Sequence, residues 1–390
     1  MRAFTTVAII SEYNPFHMGH ALLFQKAKEL YPNCAIVSVM SGNTVQRGDF
    51  AVYDRYVRAE AAIACGCELA LEMPYPYSCS ASEQFARAGV RIAIEAGADV
   101  LLFGSGAEMP ETLFDAVKTL KTEEFRSKLV ELSKSNPDRS FLSLREELYR
   151  EMTGNELPRD GNSSLGIEYM IAAESIGNEL GKSIKCHPIK RIGAYTATAC
   201  REQLRERASN LLPQDIPTEA KAVFETAQVS GGIDSIPALI LGMLRFTAFN
   251  GTTLSKNGIK EAIIRAAEKA EGMDDFYSAL PTATYTRARL RRVLMDMLLL
   301  PEYAETDSLK NTPPQYTVLL GAKDRGFEIL SDMRKNSALT VITKPSDTAK
   351  LTDEGKKAYS VAERVEAMYA LTFRSPLSPS KLIPRFRAVK

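Results

Sequence analysis

Through the first 105 residues, short apolar runs alternate with segments of helical periodicity. Runs at 5–11, 34–40, 68–73 and 99–103 are separated by amphipathic stretches at 19–30, 53–65 and 81–96, and the last run closes on Gly104-Ser105-Gly106. Apolar runs this short read as strands covered on both faces. A helix-length segment between each pair is what a strand needs to return parallel to its neighbour. The expected fold class is therefore α/β, built on a parallel sheet.

Residues 110–180 read as mostly helical with charged faces, interrupted by the turn chemistry of 157–164 (LPRDGNSS). A last strand is expected at 183–189, and a helix near Thr198. The two prolines of 209–218 suggest a linker, which divides the chain into residues 1–208 and a mainly helical part, 219–390. In that part helices are expected over 237–249, 259–268, 286–300 and 360–371. A length of 390 residues leaves room for two such domains.

Net charge is +1, which excludes a globally basic nucleic-acid-binding chain. Residues 1–209 hold 24 basic against 27 acidic side chains and residues 210–390 hold 25 against 21, an asymmetry that favours a polyanion partner for the second half. The six cysteines form no CxxC pair and no zinc spacing with histidine, as expected for reduced thiols in a cytoplasmic protein. The first run is broken too early by Glu12, Asn14 and Pro15 to be a signal peptide, and no stretch approaches the roughly 18 apolar residues of a membrane span. A membrane is not an expected partner.

Two of the three histidines, His17 and His20, fall within His-x-Gly-His where the first strand gives way to the first helix. In an open parallel sheet ligands bind beyond the carboxyl ends of the strands, where the next helix offers unpaired N–H groups. Gly19 would remove a side chain that could hold a phosphate off. His17 and His20, three residues apart, can donate to oxygens that gain charge during attack at an α-phosphate. Four residues also recur by chance, and the same pair could merely cap the helix.

The string ISEYNPFHMGH (10–20) resembles the opening of the bacterial tRNA(Met) cytidine acetate ligases, a family of the HIGH-type nucleotidylyltransferase superfamily. Further similarities follow in order: SGNTVQRGD (41–49), ELALEMP (68–74), Phe85-Ala86, LFGS (102–105), Asn162 with LGIEY (165–169), Lys190-Arg191-Ile192-Gly193, and YTRARLRR (285–292) followed by Leu298-Leu299. The resemblance implies a Rossmann-like nucleotidylyltransferase domain joined to a helical domain. It also implies activation of acetate by ATP to acetyl-adenylate and pyrophosphate, then transfer of acetyl to N4 of the wobble cytidine of elongator tRNA(Met).

Carried over by position, Ile10, Ser11, Glu12, Tyr13, Asn14, Pro15, Phe16, His17, Met18, Gly19 and His20 would surround ATP, together with Gly104, Asn162, Lys190, Arg191 and Ile192. Thr198-x-x-Arg201 fits the superfamily's late T-x-x-R, whose arginine suits phosphate oxygens. His17, His20 and Arg191 are the expected catalytic residues, with Mg2+ bridging the phosphates and no protein metal ligand assigned. Arg287, Arg289, Arg291 and Arg292 would meet tRNA, joined by the basic tail 381–390; DNA is not expected. A charged, solvated helix face is the other reading of those arginines. The sequence departs from the family where Gly193-Ala194-Tyr195 runs straight on to Thr196, so that the usual loop is shortened and its histidine is missing. That difference bears on acetyl transfer and RNA placement rather than on ATP. Two other functions fit parts of the pattern: an enzyme of the same superfamily acting on small molecules, such as the citrate lyase acetate ligases, or an RNA-binding protein with a degenerate ATP site.

Overall fold

The computed structural model describes residues 2–107, 109–136, 139–191, 193, 195–206, 212–246, 258–282, 285–299 and 309–381. Nine strands are found among them: β1 (Thr6–Ser11), β2 (Ala35–Ser41), β3 (Thr44–Val45), β4 (Asp49–Phe50), β5 (Leu69–Met73), β6 (Val100–Ser105), β7 (Lys185–Lys190), β8 (Tyr316–Ala322) and β9 (Thr340–Ile342). Seven make one sheet in the order β7-β6-β1-β2-β5-β8-β9, and β3 and β4 form a separate hairpin. The five strands from β7 to β5 are mutually parallel, as the alternation of runs and helices requires.

Alternation along each strand supplies both faces. Ala8, Ile10, Val37, Val39, Leu69 and Leu71 join a core under helices Ser82–Glu95 and Gly161–Leu180. Their neighbours Val7, Ile9, Ile36, Met40 and Ala70 join a second core under helices Met18–Leu30 and Arg55–Ala64. Each fully buried Leu, Ile or Val stabilises by about 1.5–3 kcal/mol. A third core lies among helices Pro237–Phe246, Ile259–Lys269, Arg287–Leu299 and Asp353–Leu371.

The chain differs from the sequence expectation after residue 219. It returns to the sheet as β8, antiparallel to β5, and as β9, parallel to β8. All seven residues of β8 (YTVLLGA) are buried, and a short run of this kind has no periodicity to separate strand from buried helix. The stretch expected as a linker, 209–218, lies partly outside the described residues. Its described part is packed: Ile216 is buried in the second core and the Asp215 carbonyl accepts from Met18 N at 2.7 Å. Proline fixes φ but does not imply exposure.

The carboxyl ends of β1 and β2 are gathered by one fully buried side chain. Arg58 donates to the carbonyls of Tyr53 at 2.8 Å, of Ser41 at 3.1 Å, and of Glu12 and Gly42. Four backbone acceptors on one guanidinium fix the loop that leaves β1.

Candidate active site at the end of the first strand

The loop leaving β1 reaches helix Met18–Leu30 through His17, the N-cap residue, with φ −138° and ψ 174°. His17 Nδ1 accepts from Gly19 N at 3.1 Å, and His20 Nδ1 accepts from His17 N at 3.1 Å. This is a capping box in which both acceptors are imidazoles. The two rings stack, with centroids 3.9 Å apart and planes at 28°. A ring nitrogen that accepts an N–H carries no proton, so in each neutral ring the proton is on Nε2, which is then a donor.

Burial pushes His17 down to about 4, aided by the positive charges of Arg191 and Arg201. Burial also pushes His20 well below the ordinary range, with His17 and Arg191 adding to it. Both imidazoles are therefore neutral hydrogen-bond donors at pH 7. Tyr13 and Phe16, fully buried, support them from below: the Tyr13 ring stands edge-on to His20 at 4.9 Å, and Phe16 lies 5.3 Å from it. Tyr13 is in turn held through its hydroxyl and Ser38 Oγ, 2.7 Å apart.

Gly19 has a more local cause than the one expected. A Cβ there would lie 2.9 Å from His17 Cε1 and 3.1 Å from its Nδ1, so the glycine first makes room for the imidazole that caps the helix. Gly104 is the reverse case. A Cβ there would meet nothing closer than the Arg191 Cα at 3.9 Å, so the surrounding protein does not demand a glycine.

Two adjoining cavities, of about 180 Å3 and about 380 Å3, meet at this junction. Ile10, Ser11, His17, His20, Asn162 and Arg191 line both; Gly19 and Gly104 line the smaller, and Glu12, Tyr13, Asn14, Thr198 and Arg201 the larger. Asn162 arrives in the first turn of helix Gly161–Leu180, whose cap is Asp160 rather than the asparagine: Asp160 Oδ1 accepts from Ser163 N at 2.9 Å and from Gly106 N at 3.2 Å. Arg191 follows β7, its N–H bonded to the Ser105 carbonyl at 2.8 Å and its guanidinium to the Tyr195 carbonyl. Arg201 donates to the Asn14 carbonyl at 2.8 Å and to Thr198 Oγ1 at 3.0 Å, which joins the T-x-x-R element to the loop after β1.

Pro15, Phe16, Met18 and Lys190 do not line either cavity, and Ile192 lies outside the described residues. Sequence reasoning gave no role to Phe103, which lines the smaller cavity, to Leu165 and Tyr169, which line both, or to Gln46 and Arg47, which line the larger. All five fall inside the motifs quoted above, which was the one available signal.

The four arginines of helix Arg287–Leu299 divide into two pairs. Arg291 Nε donates to the Gly48 carbonyl at 3.1 Å, and its terminal nitrogens pair with Asp49 at 3.4 Å and Asp234 at 3.3 Å. Arg292 donates to the Gln46 carbonyl at 3.1 Å. Both hold the β3–β4 hairpin, where Gly48 at φ +76° brings its Cα so close that a Cβ would lie 2.5 Å from the Arg291 backbone. Arg287 and Arg289 are exposed and lie over the rings of Tyr277 and Tyr285, at 4.8 Å and 5.0 Å. The basic tail expected beside them lies outside the described side chains.

Among the described residues no three His, Cys, Asp or Glu side chains gather as a metal site, and no helix is long and apolar enough to cross a membrane.

The HIGH Nucleotidyl Transferase family model matches residues 4–381. The tRNA(Met) cytidine acetate ligase of Thermoanaerobacter sp. (strain X514) is 30% identical over 87% of this chain and 88% of that protein. The protein of the same name from Clostridium botulinum (strain Okra / Type B1) is 29% identical over 95% of this chain and 97% of its own length. Among solved structures, Thermotoga maritima TmcAL bound with alpha-thio ATP superposes with a TM-score of 0.87 at 26% identity, covering 98% of this chain and 99% of that one. With its sheet order, its histidine capping box and these full-length matches, the chain belongs to the HIGH nucleotidyl transferase family, alongside the tRNA(Met) cytidine acetate ligases.

Proposed function

We propose that this protein is an ATP-dependent tRNA(Met) cytidine acetate ligase, which activates acetate as acetyl-AMP and acetylates N4 of the wobble cytidine of elongator tRNA(Met). The observation that carries this reading is the pair of neutral imidazoles whose Nδ1 atoms are both occupied by the helix start, leaving both Nε2–H groups as donors. The relatives' names and the α-thio ATP in the matching TmcAL structure supply the nucleotide and the acceptor.

Acetate is already ionised at pH 7 and needs no base to attack the α-phosphorus. The enzyme's work in that step is to position the reactants and to neutralise charge. The Nε2–H groups of His17 and His20 donate to the α-phosphate oxygens, Arg191 and Arg201 receive the departing pyrophosphate, and Lys190 adds charge from the end of β7. The adenosine lies against Gly104, where no protein atom demands a glycine, and Asn162 hydrogen-bonds to it. Any Mg2+ would come with the nucleotide, since among the described residues no three His, Cys, Asp or Glu side chains gather to hold it. Arg287 and Arg289 are the RNA contacts; Arg291 and Arg292 act by holding the hairpin that faces them.

The test is ATP–pyrophosphate exchange with a panel of carboxylic acids, with and without bulk tRNA. Exchange that depends on acetate supports the reading. Exchange with another acid alone favours a small-molecule enzyme of the superfamily, and no exchange with any acid favours an RNA-binding protein.

A further inference from the structure

A third cavity, of about 540 Å3, opens beside the adenylation site. Its walls are the β3–β4 hairpin, one face of helix Ala197–Glu206 and the first turn of helix Arg287–Leu299. On the middle wall Thr198, Arg201, Glu202 and Arg205 follow at the spacing that puts side chains on one helical face. The volume lies within the roughly 300–1,000 Å3 of small-molecule sites, which is room for one nucleotide and not for a duplex.

Charge divides this cavity. Arg205 and Arg291 share Asp49, at 3.1 Å and 3.4 Å, and Arg291 pairs also with Asp234 at 3.3 Å. Arg47 and Arg287 are exposed and make no hydrogen bond or ion pair among the described residues. Toward the adenylation site, Glu12 is the one acidic side chain among the described residues that lines both this cavity and the 380 Å3 cavity of the histidines. Its position is fixed: Oε1 accepts from Gln46 N at 2.8 Å and its carbonyl is held by Arg58.

We infer that this groove takes a single unstacked pyrimidine nucleotide of an RNA loop, with Arg47 and Arg287 at its phosphates and Glu12 at its exocyclic amine. The inference rests on the functional reading above and supplies its acceptor subsite. An exocyclic amine conjugated to a pyrimidine ring is a weak nucleophile and must lose a proton as it attacks. N4 forms the N–C bond to the acetyl carbonyl carbon, the bond from that carbon to the α-phosphate oxygen breaks, and AMP leaves with the electron pair. The N4 proton passes to the Glu12 carboxylate, which stands where the two cavities meet. Extruding one base into a snug pocket is also how other enzymes reach atoms of a paired or stacked base.

The test compares two rates on the full chain: acetate-dependent ATP–pyrophosphate exchange, and single-turnover transfer from preformed acetyl-AMP to tRNA. Ala288→Trp, which adds bulk to the groove at a lining residue of helix Arg287–Leu299, should lower the ratio of transfer to exchange at least about 100-fold. An unchanged ratio overturns the groove. If that variant loses both rates, the Arg47→Ala, Arg287→Ala double variant decides: a KM for tRNA raised about tenfold with kcat retained supports the groove, and an unchanged KM overturns it. Glu12→Gln should slow transfer about 100-fold; transfer at the parent rate removes Glu12 from the step. Free cytidine acetylated as fast as tRNA would overturn an RNA loop as the occupant. A wild-type protein that exchanges with acetate but leaves tRNA without N4-acetylcytidine defeats the functional reading itself, and the groove with it.

Discussion

The junction after β1 and the arginine-rich helix Arg287–Leu299 are both short, both dense in polar side chains and both conspicuous in the sequence, yet they fold to different ends. At the junction the local backbone occupies the Nδ1 atoms of His17 and His20 and leaves Nε2–H outward-acting on both rings. On the helix, tertiary contacts occupy Arg291 and Arg292, and Arg287 is exposed over the ring of Tyr277. A motif whose partners lie within three residues carries its chemistry in the sequence. A charge cluster whose partners lie from 57 to 246 residues away does not, because which guanidiniums are neutralised is decided by what packs against them.

The sharpest way to break this contrast is at the junction. Replacing His20 by Ala removes one Nε2–H donor and the acceptor that caps His17 N, so acetate-dependent ATP–pyrophosphate exchange should fall about 10³-fold, or about 4 kcal/mol of transition-state stabilisation. The circular dichroism spectrum should remain that of the parent. Exchange within a factor of a few of the parent would remove the imidazoles from the chemistry.

On the helix the predicted effects differ between neighbours. Arg291→Ala should cost about 2 kcal/mol in urea denaturation, since it removes the donor to the Gly48 carbonyl and leaves Asp49 with Arg205 as its remaining ion pair among the described residues. Arg287→Ala should leave stability within about 0.5 kcal/mol and lower the slope of log affinity for tRNA against log salt by about one. Equal effects of the two substitutions on both measurements would erase the division between holding the hairpin and meeting RNA.

A third prediction concerns the contact between sheet and helices. Glu366, on helix Asp353–Leu371, shares Arg55 with Glu72 of β5, at 2.9 Å and 3.1 Å, and accepts from Asn43 Nδ2 at 2.8 Å. Burial pushes Glu366 up to about 8 against the pull of Arg55, with the negative charges of Asp54 and Glu72 adding to the rise. An unfolded glutamate ionises near ~4.3, so between that pH and about 8 the folded chain binds the extra proton. The stabilisation is complete below the unfolded value and is lost as pH rises through the folded one. The urea midpoint of the parent should therefore fall from pH 5 to pH 8, and Glu366→Gln should flatten that decline. An unaltered slope would place the titration elsewhere.

The smallest effect is a readout rather than a loss. His17 is neutral when folded down to about pH 4, whereas an unfolded histidine protonates near ~6.5. Its neutral burial contributes stability above about 6.5 that is lost as pH falls toward 4. In NMR titration of the free protein the His17 resonances should shift with a midpoint near 4; a midpoint near 6.5 would mean a solvated ring and an open cap.

Legibility in the sequence follows the same division. Four of the five parallel strands were readable because each run is short, apolar and followed by a helical segment. β8 and β9 were not, since a fully buried strand in a helical stretch has no alternation to betray it, and its partner β5 lies some 250 residues away. The cavity-lining set from Ile10 to His20 was readable as one segment, but the segment's inner members work differently from its outer ones. Tyr13 and Phe16 pack beneath the imidazoles, and Gly19 yields first to the His17 ring. Arg47 and the 540 Å3 groove were hidden because their walls come from three separate parts of the chain.

The fate of the acetyl group is the most direct measure of what the two imidazoles and the groove beside them do. Incubation of the protein with ATP, doubly 13C-labelled acetate and bulk tRNA, followed by mass spectrometry of the tRNA nucleosides, should yield N4-acetylcytidine heavier by the two labelled carbons. Unlabelled tRNA recovered from a protein that binds both ATP and tRNA would contradict it.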